Sequence, residues 1–296
     1  MKNRSCLSSY KRSLRCKLVE KTLINQKIVC LDFEWQGSVP RAGQFFLIRP
    51  ERSVHFLGRP ISLALWDVRG KSARFLVAMR GKGTRELFGM CQGDYAELTG
   101  PLGNTWAEFL HGHSGGERIA LAGGGIGVAP LFEFAAELYY KRNEPEKQSG
   151  LKNAGSSNFS NGSFYVDFYA GFKTWFRGNE EFLSLMGPAI MYADKLIAAF
   201  EDGKAERKGR IPAFLEPAEY AAVYACGPEP MLRAVAALCR AAGKPCFVSL
   251  ERRMACGVGA CLGCTVETAG GNRRCCADGP IFPAEDVFFE GASPDE

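Results

Sequence analysis

The sequence predicts an antiparallel β-barrel, then an α/β domain built on a parallel sheet, then a small cysteine-rich unit. Three observations predict this order. Six short β-rich runs without a long helix between them fill residues 16–99, and strands alternate with turns and helices from residue 118 to residue 250. Five cysteines then lie between residues 256 and 276. With 296 residues, the chain is long enough for about two domains.

The first domain is predicted from its strands and turns. Turns rich in glycine, proline and charge separate short β-rich runs, which is typical of an antiparallel barrel. The runs lie at residues 16–23, 27–34, 44–49, 61–67, 73–79 and 94–99. A helical pattern at residues 84–90 follows a glycine-rich turn. The barrel is therefore expected to span residues 16–112, after a flexible basic tail at residues 1–15.

The second domain is predicted to span residues 113–250. Strand, glycine-rich turn and helix alternate there, which indicates a parallel sheet of the nucleotide-binding type. The strands are predicted at residues 118–122, 165–172, 195–200, 222–226 and 246–250, and the helices at residues 129–141 and 229–242. The polar residues 143–163 are expected to form a mobile surface insertion.

Residues 251–296 form a third unit, which is too short and too rich in cysteine to build its own core. We therefore expect that something bound holds this unit together.

Composition and charge exclude several classes of protein. The formal net charge of +5 is spread along the chain beyond its basic start, so nucleic acid binding is not implied. No stretch approaches the roughly 20 apolar residues of a membrane span, and the start lacks the apolar segment of a secretory signal. The chain has only 3 histidines and no visible arrangement of acid, base and nucleophile, so no catalytic residue is predicted.

The cysteines point to a metal centre. Eight of the 12 follow residue 220, and a local cluster without a secretory signal indicates ligation in a reducing compartment, the cytoplasm, rather than disulfides. Cys256, Cys261 and Cys264 have the C-x4-C-x2-C spacing of plant-type [2Fe–2S] clusters. Spacing alone leaves the fourth ligand open between Cys275 and Cys276. A zinc ribbon and ordinary buried cysteines are the alternatives, and the spacing and the glycine content fit both poorly.

A second candidate site lies in the predicted barrel. Arg59 opens a β-run, and its guanidinium can hold a pyrophosphate in fork geometry. Ser62 is expected on the same face of the strand, where it can bond the edge of a flavin. Gly83 and Thr84 begin the helical pattern, and the free N–H groups of a helix start attract phosphate. The alternative is an edge strand with a surface arginine, but the α/β domain that follows favours flavin.

A third candidate site lies where strands of the parallel sheet end. Four glycines separate a strand from a helix and allow a dinucleotide phosphate to approach the backbone: Gly123, Gly124, Gly125 and Gly127. Cys226 and Gly227 end a later strand, so both loops fall at the carboxyl edge, where such sheets bind ligands. Cys226 is a candidate neighbour of a nicotinamide. The alternatives are a tight turn packed for steric reasons and a plain buried cysteine.

The motifs of these sites form one combination along the chain. They are RPIS (59–62), GKGT (81–84), GPLG (100–103), AGGGIGVAPL (122–131), ACGPEPML (225–232), MACGVGACLGC (254–264) and CADGP (276–280). The combination resembles the electron-transfer subunits of dihydroorotate dehydrogenase B, within the ferredoxin–NADP reductase superfamily. The resemblance covers residues 16–290.

The resemblance implies FAD in the barrel, a [2Fe–2S] cluster at the C-terminus and NAD in the α/β domain. The family's FAD contacts fall here on Arg59, Pro60, Ile61, Ser62, Leu76, Val77, Ala78, Gly83 and Thr84. The family's last cluster cysteine precedes x-Asp-Gly-Pro, which matches Cys276 and implies the ligand set Cys256, Cys261, Cys264 and Cys276. Residues 193–210 fit the family loosely, which leaves the choice between NAD and NADP open.

The resemblance also implies an activity and a partner. An FMN-containing catalytic subunit would oxidise dihydroorotate in pyrimidine biosynthesis, and this chain would carry the electrons through [2Fe–2S] and FAD to NAD+. Two subunits of each kind would form a heterotetramer. A reductase subunit of a hydrogenase, sulfite reductase or ferredoxin oxidoreductase is the alternative with the same cofactors. A zinc-held binding module without enzyme activity is the alternative from another class of protein.

Overall fold

The structure is a computed structural model and describes residues 12–110, 116–143, 164–174, 176, 178–202 and 208–289. Most of the predicted basic tail and the predicted insertion from residue 144 onward lie outside the described residues. The expectations for these two segments therefore stay predictions.

The first domain is a closed antiparallel barrel, which confirms the predicted fold class. Its six strands are β1 (Arg12–Asn25), β2 (Ile28–Glu34), β3 (Phe45–Pro50), β4 (Arg59–Asp67), β5 (Ser72–Ala78) and β6 (Tyr95–Leu102). Their order around the barrel is β1-β2-β5-β4-β3-β6. β1 begins before the predicted position at residue 16, because Arg12 to Lys17 pair with Gly100 to Tyr95 of β6.

Aromatic side chains fill the barrel. The rings of Phe46 and Phe75 are buried 5.3 Å apart, and Trp35 meets Phe46 edge-on at 4.9 Å. Because alternate residues of each strand point inward, these rings form a packed core. Helix α1 (Lys82–Gly89) adds the buried side chain of Leu87 to this core. The barrel is therefore a rigid support for residues at its rim.

The second domain contains a six-stranded sheet. Its strands are β7 (Arg118–Gly124), β8 (Tyr165–Phe172), β9 (Lys195–Phe200), β10 (Ala222–Cys226), β11 (Cys246–Ser249) and β14 (Ile281–Pro283). Their order in the sheet is β14-β11-β10-β7-β8-β9. β7 to β11 are parallel, as predicted, and β14 runs antiparallel to β11. The helices are α2 (Ala129–Asn143), α3 (Asn179–Tyr192) and α4 (Glu229–Ala241). None of the helices in the described part of the chain has the length and apolar character needed to cross a membrane.

Helix α3 was not predicted from the sequence. Gly187 and Pro188 lie inside it and interrupt the pattern by which a helix is recognised. Its first turn carries Glu180 and Glu181, which suit the positive end of the helix dipole. Leu185 and Met186 are buried in the core of the domain, so tertiary packing stabilises a helix with weak local signals.

The C-terminal unit has little regular structure. It contains a short ribbon, β12 (Thr265–Val266) and β13 (Arg273–Arg274), and its last strand is β14 of the second domain's sheet. Asn104, which follows the barrel, donates to the carbonyl of Ile281 at 2.8 Å and accepts its N–H at 3.0 Å. The unit is thus attached to both domains.

A buried carboxyl group joins the barrel to the second domain. Glu133 of α2 is only 8% exposed and accepts the backbone N–H of Trp66 in β4 at 2.7 Å. One turn further, Glu137 accepts Arg41 Nε at 3.1 Å and the N–H of Ala42 at 3.0 Å. Burial, assisted by the charge of Glu137, raises the pKa of Glu133 to about 8, against the opposing effects of the Trp66 N–H and Arg41. Most Glu133 side chains are therefore protonated at neutral pH.

The raised pKa of Glu133 predicts that the protein loses stability as the pH rises. Its pKa is about 8 in the folded protein and 4.5 as an ordinary glutamate, so the folded state holds the proton more tightly. The stabilisation that this proton gives the folded state is complete at a pH below 4.5 and is lost as the pH rises through about 8. Between these two pH values, we expect deprotonation of Glu133 to lower the free energy of unfolding by up to about 1.4 kcal/mol per pH unit. The Glu133→Gln variant should lack this pH dependence. Urea unfolding across the pH range measures both; equal slopes in the two proteins contradict the prediction.

Candidate cofactor-binding sites

Four thiols of the C-terminal unit lie in two neighbouring pairs. Cys261 N–H donates to Cys256 Sγ at 3.4 Å, and Cys276 N–H donates to Cys264 Sγ at 3.4 Å. Within each pair the two thiols are in hydrogen-bonding reach of each other. Among the residues that the structure describes, no three or more Cys, His, Asp or Glu side chains converge as a single metal ion requires. Two pairs suit a two-iron cluster, in which four thiolates are shared by two irons.

Backbone N–H groups point at these sulfurs. Val258 donates to Cys256 Sγ at 3.5 Å, and Gly259 donates to Cys276 Sγ at 3.2 Å. Gly259 has a φ of +80°, and a Cβ there would lie 2.9 Å from the Cβ of Ala277. Glycine is therefore required at this position of the loop. Donors of this kind stabilise thiolates and tune a bound cluster, so the loop fits the proposed [2Fe–2S] group.

The two pairs differ in burial and in proton affinity. The backbone N–H groups, that of Val258 first, lower the pKa of Cys256 to about 6, so its thiolate is present at neutral pH. Burial, followed by the contact with Cys264, raises the pKa of Cys276 to about 12. A cluster iron bound by Cys276 would have to displace this proton, because ligands of this type bind metal as thiolates.

The thiol of Cys275 makes its hydrogen bond outside both pairs. Its Sγ donates to the carbonyl of Leu250 at 3.2 Å, and the residue is fully buried. Burial raises its pKa to about 12. These contacts support Cys276, rather than Cys275, as the fourth ligand.

Arg59 and Gly83 form a cradle at the start of α1. The guanidinium lies so close to the glycine that a Cβ on Gly83 would come within 2.5 Å of Arg59 Cζ. A cationic fork beside the first N–H groups of a helix suits a pyrophosphate. The hydroxyl of Thr84 instead accepts the N–H groups of Arg80 and Gly81, at 2.9 and 3.0 Å. The hydroxyl of Thr84 is therefore engaged within the turn at the start of the helix.

The predicted contact residues of β4 lie on two faces of the strand. The register with β3 is unbroken from Arg59 to Ser62, so successive side chains alternate. Ile61 packs against the barrel core, and Arg59 shares its side of the strand. Pro60 and Ser62 face outward. The expectation that Arg59 and Ser62 share a face is therefore wrong, because Ser62 lies three positions after Arg59 and side chains alternate along a strand.

The residues at the end of β5 offer mainly main-chain atoms to a flavin. Val77 is fully buried in the barrel core, and Leu76 packs into the core shared with the second domain. Ala78 is half-buried and pairs with Ile28. Any flavin contact of these three residues is thus expected from main-chain atoms and the methyl group of Ala78.

We expect Arg59→Ala to lower the affinity for FAD. A charge-assisted hydrogen bond contributes about 1.5–3 kcal/mol, which corresponds to about a tenfold to hundredfold increase in Kd. Gly83→Ala should have a similar effect, because its methyl group would displace the same guanidinium. Flavin fluorescence during dilution or ultrafiltration of the purified protein measures the affinity. The role of the cradle is refuted if both variants retain FAD like the wild type.

The two glycine-rich loops touch at the carboxyl edge of the parallel sheet. β7 and β10 are neighbours, with Gly123 beside Cys226. A Cβ on Gly127 would overlap the carbonyl of Cys226 and lie 2.8 Å from Gly227 Cα. Gly127 is therefore explained by a tight turn packed for steric reasons, because the absence of a side chain allows the two loops to meet.

Gly125 and Cys226 differ in their access to a ligand. Gly125 has a φ of +58° and open space where a Cβ would stand, so a phosphate can approach its backbone. Cys226 is 3% exposed, and burial raises the pKa of its thiol, which also interacts with Ser249. The loop fits a dinucleotide at Gly125, whereas the side chain of Cys226 belongs to the core of the domain.

Two features of the site were missed by sequence reasoning. Arg252 Nη1 donates to Glu229 Oε2 at 3.0 Å and ties the start of the cysteine-rich unit to the start of α4. A groove beside Cys256 is lined by Phe56 and Leu57 from the loop before β4. An ion pair between distant segments leaves no local pattern, but two adjacent apolar residues in a polar loop were an available signal.

Solved structures with a similar fold are flavin-dependent reductases. The NADH-dependent reduced ferredoxin-NADP oxidoreductase matches with a TM-score of 0.72 and 24% identity, over 93% of this chain and 90% of that one. A ferredoxin NADP+ reductase from Neisseria gonorrhoeae, with FAD and NADP bound, matches with a TM-score of 0.59 and 16% identity, over 79% and 93%. These likenesses confirm the barrel and α/β architecture.

Sequence relatives extend over nearly the whole chain. Residues 251–288 match the iron-sulfur cluster binding domain of dihydroorotate dehydrogenase B, which confirms an iron–sulfur unit rather than a zinc module. The dihydroorotate dehydrogenase B (NAD(+)) electron transfer subunit of Clostridium perfringens is 36% identical over 273 residues, covering 92% of this chain and 97% of its own length. That of Caldanaerobacter subterraneus subsp. tengcongensis is 33% identical over 286 residues, covering 93% and 100%. The chain therefore belongs to the family of dihydroorotate dehydrogenase B (NAD(+)) electron transfer subunits.

Proposed function

We propose that the chain carries electrons from an FMN-containing dihydroorotate dehydrogenase subunit to NAD+, by way of a [2Fe–2S] cluster and FAD. The adjacency of the candidate sites carries this proposal. The cysteine loop rests on β3 and β6, where a Cβ on Gly257 would lie 2.8 Å from the side chain of Leu47 and 2.9 Å from that of Leu102. Leu47 pairs across the sheet with Pro60 of β4. The proposed cluster would therefore lie beside the strand proposed to hold the flavin.

Each bound group has its own set of residues in this proposal. The cluster ligands are Cys256, Cys261, Cys264 and Cys276. The FAD residues are Arg59, Pro60, Ile61, Ser62, Leu76, Val77, Ala78, Gly83 and Thr84. The nucleotide residues are Gly123, Gly124, Gly125, Gly127, Cys226 and Gly227, with Gly125 at the point of approach and Cys226 and Gly127 supporting the loops.

A flavin exchanges single electrons with an iron–sulfur centre and an electron pair with a nicotinamide, which joins the two kinds of carrier. The chain's own residues position these groups and set their electrostatics. The Arg59 guanidinium balances pyrophosphate charge. The N–H groups that point at Cys256 and Cys276 balance charge on sulfur. The burial of Cys264 and Cys276 keeps water from the inner side of the site.

The relatives' names supply the partner and the nucleotide. An electron transfer subunit acts with a catalytic subunit, and their names give dihydroorotate as the enzyme's substrate and NAD(+) as its nucleotide. We infer that the catalytic subunit performs the bond chemistry on dihydroorotate, in a heterotetramer with two copies of each subunit. The reducing conditions that a thiolate-held cluster needs support a cytoplasmic location.

The proposed function is tested with the isolated, cofactor-loaded chain. It is expected to reduce an artificial dye with NADH, because both the flavin and the nucleotide site lie within it. It is expected to leave dihydroorotate and NAD+ unchanged until the purified FMN-containing catalytic subunit is added. The absorbance changes of the dye and of NADH follow both reactions.

Two results would overturn this function. If the isolated chain oxidises dihydroorotate, it contains a catalytic site of its own. If the catalytic subunit neither binds the chain nor restores the coupled reaction while dye reduction is intact, the chain serves another redox complex of the hydrogenase, sulfite reductase or ferredoxin oxidoreductase type.

A further inference from the structure

Helix α2 connects the proposed nucleotide site to the proposed flavin site. It begins at Ala129, directly after the glycine-rich turn that ends at Val128. Phe132 of α2 lies in one buried core with Ala64 of β4 and Leu76 of β5. These two strands carry residues that we propose as FAD contacts. The position of α2 against the barrel therefore sets the distance between the two sites.

Two carboxyl groups of α2 hold the helix to backbone groups of the barrel. Glu133 accepts the N–H of Trp66 at 2.7 Å, and one turn further Glu137 accepts the N–H of Ala42 at 3.0 Å. The pairing of β4 with β3 ends at Ser62. Glu133 thus supplies an acceptor to β4 beyond the point where β3 pairs with it, and the strand is joined to α2 instead.

The charge of Glu133 decides how well this contact fits a buried core. Burial raises the pKa of Glu133 to about 8 and Glu137 adds to the shift, whereas the Trp66 N–H and Arg41 oppose it. Arg41 is itself paired with Glu137 at 3.1 Å. Tyr192 of α3 also interacts with Glu133, and burial raises the pKa of this phenol, so it is neutral where Glu133 ionises.

Ionisation of Glu133 therefore places a charge in the core beside a second carboxyl group. A buried carboxylate loses its hydration, and the like charge of Glu137 repels it. Opening the contact between α2 and β4 relieves both effects, because water then reaches the carboxylate. The protonated acid favours the closed contact, and the ionised acid favours the open one.

We propose that Glu133 is a positioning residue for hydride transfer between the nicotinamide and the flavin, because its bond to Trp66 holds α2 and the nucleotide loop against β4. The inference rests on the proposed function, in which NADH can give a hydride, with its two electrons, to FAD and become NAD+. Glu133 acts through the position of α2 and contacts neither group. Alkaline pH therefore slows this transfer, whereas the residues proposed to hold FAD and the cluster keep their places.

The first measurement is the single-turnover rate of flavin reduction by saturating NADH. The wild-type rate is expected to fall at least about tenfold between about pH 7 and about pH 9.5, since small displacements of reacting groups have effects of this size. Glu133→Gln stays neutral and keeps an acceptor for Trp66, so its rate should change less than about twofold over this range. Glu133→Leu removes the acceptor and should be slow at every pH. Glu180→Gln, at an exposed position of α3, is the matched control and should show the wild-type pH profile.

The second measurement does not depend on activity. Hydrogen exchange of the Trp66 amide reports its bond to Glu133, once the intrinsic effect of pH on exchange is divided out as a protection factor. The wild-type protection factor is expected to fall as the pH rises through about 8, whereas Glu133→Gln should keep its protection. FAD content, iron content and thermal unfolding are measured at each pH.

The outcomes separate the inference from the function on which it rests. The positioning role is supported when the wild-type rate and the protection of Trp66 fall together and Glu133→Gln loses neither. It is overturned when Glu133→Gln slows as steeply as the wild type, when the wild-type rate or protection does not fall, or when the wild type loses FAD over the same range. A folded Glu133→Leu with the wild-type rate also overturns it, and Glu133→Gln decides if Glu133→Leu does not fold. If NADH does not reduce the wild-type flavin at neutral pH, the proposed function fails and the inference fails with it.

Discussion

Replacing Cys276 with serine is expected to remove most of the iron, whereas replacing Cys275 is expected to leave the iron content near that of the wild type. Cys276 Sγ accepts the N–H of Gly259 and lies against Cys264, whereas Cys275 Sγ bonds the carbonyl of Leu250. The two neighbours therefore have different environments despite their adjacency. A wild-type content of about two irons per chain is expected to fall below half in Cys276→Ser.

The same loss is expected for serine at Cys256, Cys261 or Cys264. The C-terminal unit has two short strands of its own besides the strand that it adds to the sheet, so loss of the cluster should also loosen residues 251–289. Iron analysis, the visible absorption spectrum and hydrogen exchange of this unit measure these effects. Cys275→Ser is the matched control. The ligand assignment is wrong if Cys275→Ser loses the iron and Cys276→Ser keeps it.

The large elements of the fold could be predicted because their signals are local. Strand alternation and turn residues indicated the barrel, and glycine-rich strand–helix turns indicated the parallel sheet. Helix α3 could not be predicted, because Gly187 and Pro188 interrupt its pattern. β14 has three residues and is a strand only because β11 lies beside it. Such elements depend on neighbours that are distant in the sequence.

The candidate sites were predictable to different degrees for the same reason. The proposed cluster ligands could be predicted because their spacing is itself a sequence pattern, although spacing did not separate Cys275 from Cys276. Arg59 was recognised, but its contact with Gly83 exists only in the folded barrel. The face of Ser62 was predicted wrongly, since strand periodicity places it opposite Arg59. Contacts between distant segments, such as the pair of Arg252 with Glu229, left no signal at all.

Gly127→Ala is expected to lower NADH-dependent dye reduction by at least about a hundredfold, since a displacement of about 1 Å in a positioning group has effects of this size. The added methyl group would overlap the carbonyl of Cys226 and lie 2.8 Å from Gly227 Cα. These are main-chain atoms and cannot move aside as a side chain does, so the two loops must separate. The proposed nucleotide site is built from both loops and would lose its shape, whereas FAD and iron contents should not change.

Variants of two further glycines separate the packing of the two loops from the approach of the nucleotide to the backbone. Gly125→Ala places its methyl group in open space, at a backbone φ of +58°. It should therefore weaken NADH binding with only about 1–2 kcal/mol of destabilisation from the left-handed conformation. Gly187→Ala, in α3 with open space around it, is the control and should reduce dye at the wild-type rate. Steady-state kinetics with NADH and thermal unfolding separate these effects. If Gly127→Ala and Gly125→Ala each retain wild-type kinetics, the nicotinamide nucleotide binds elsewhere. A site made by these loops should be damaged by at least one of the two added methyl groups.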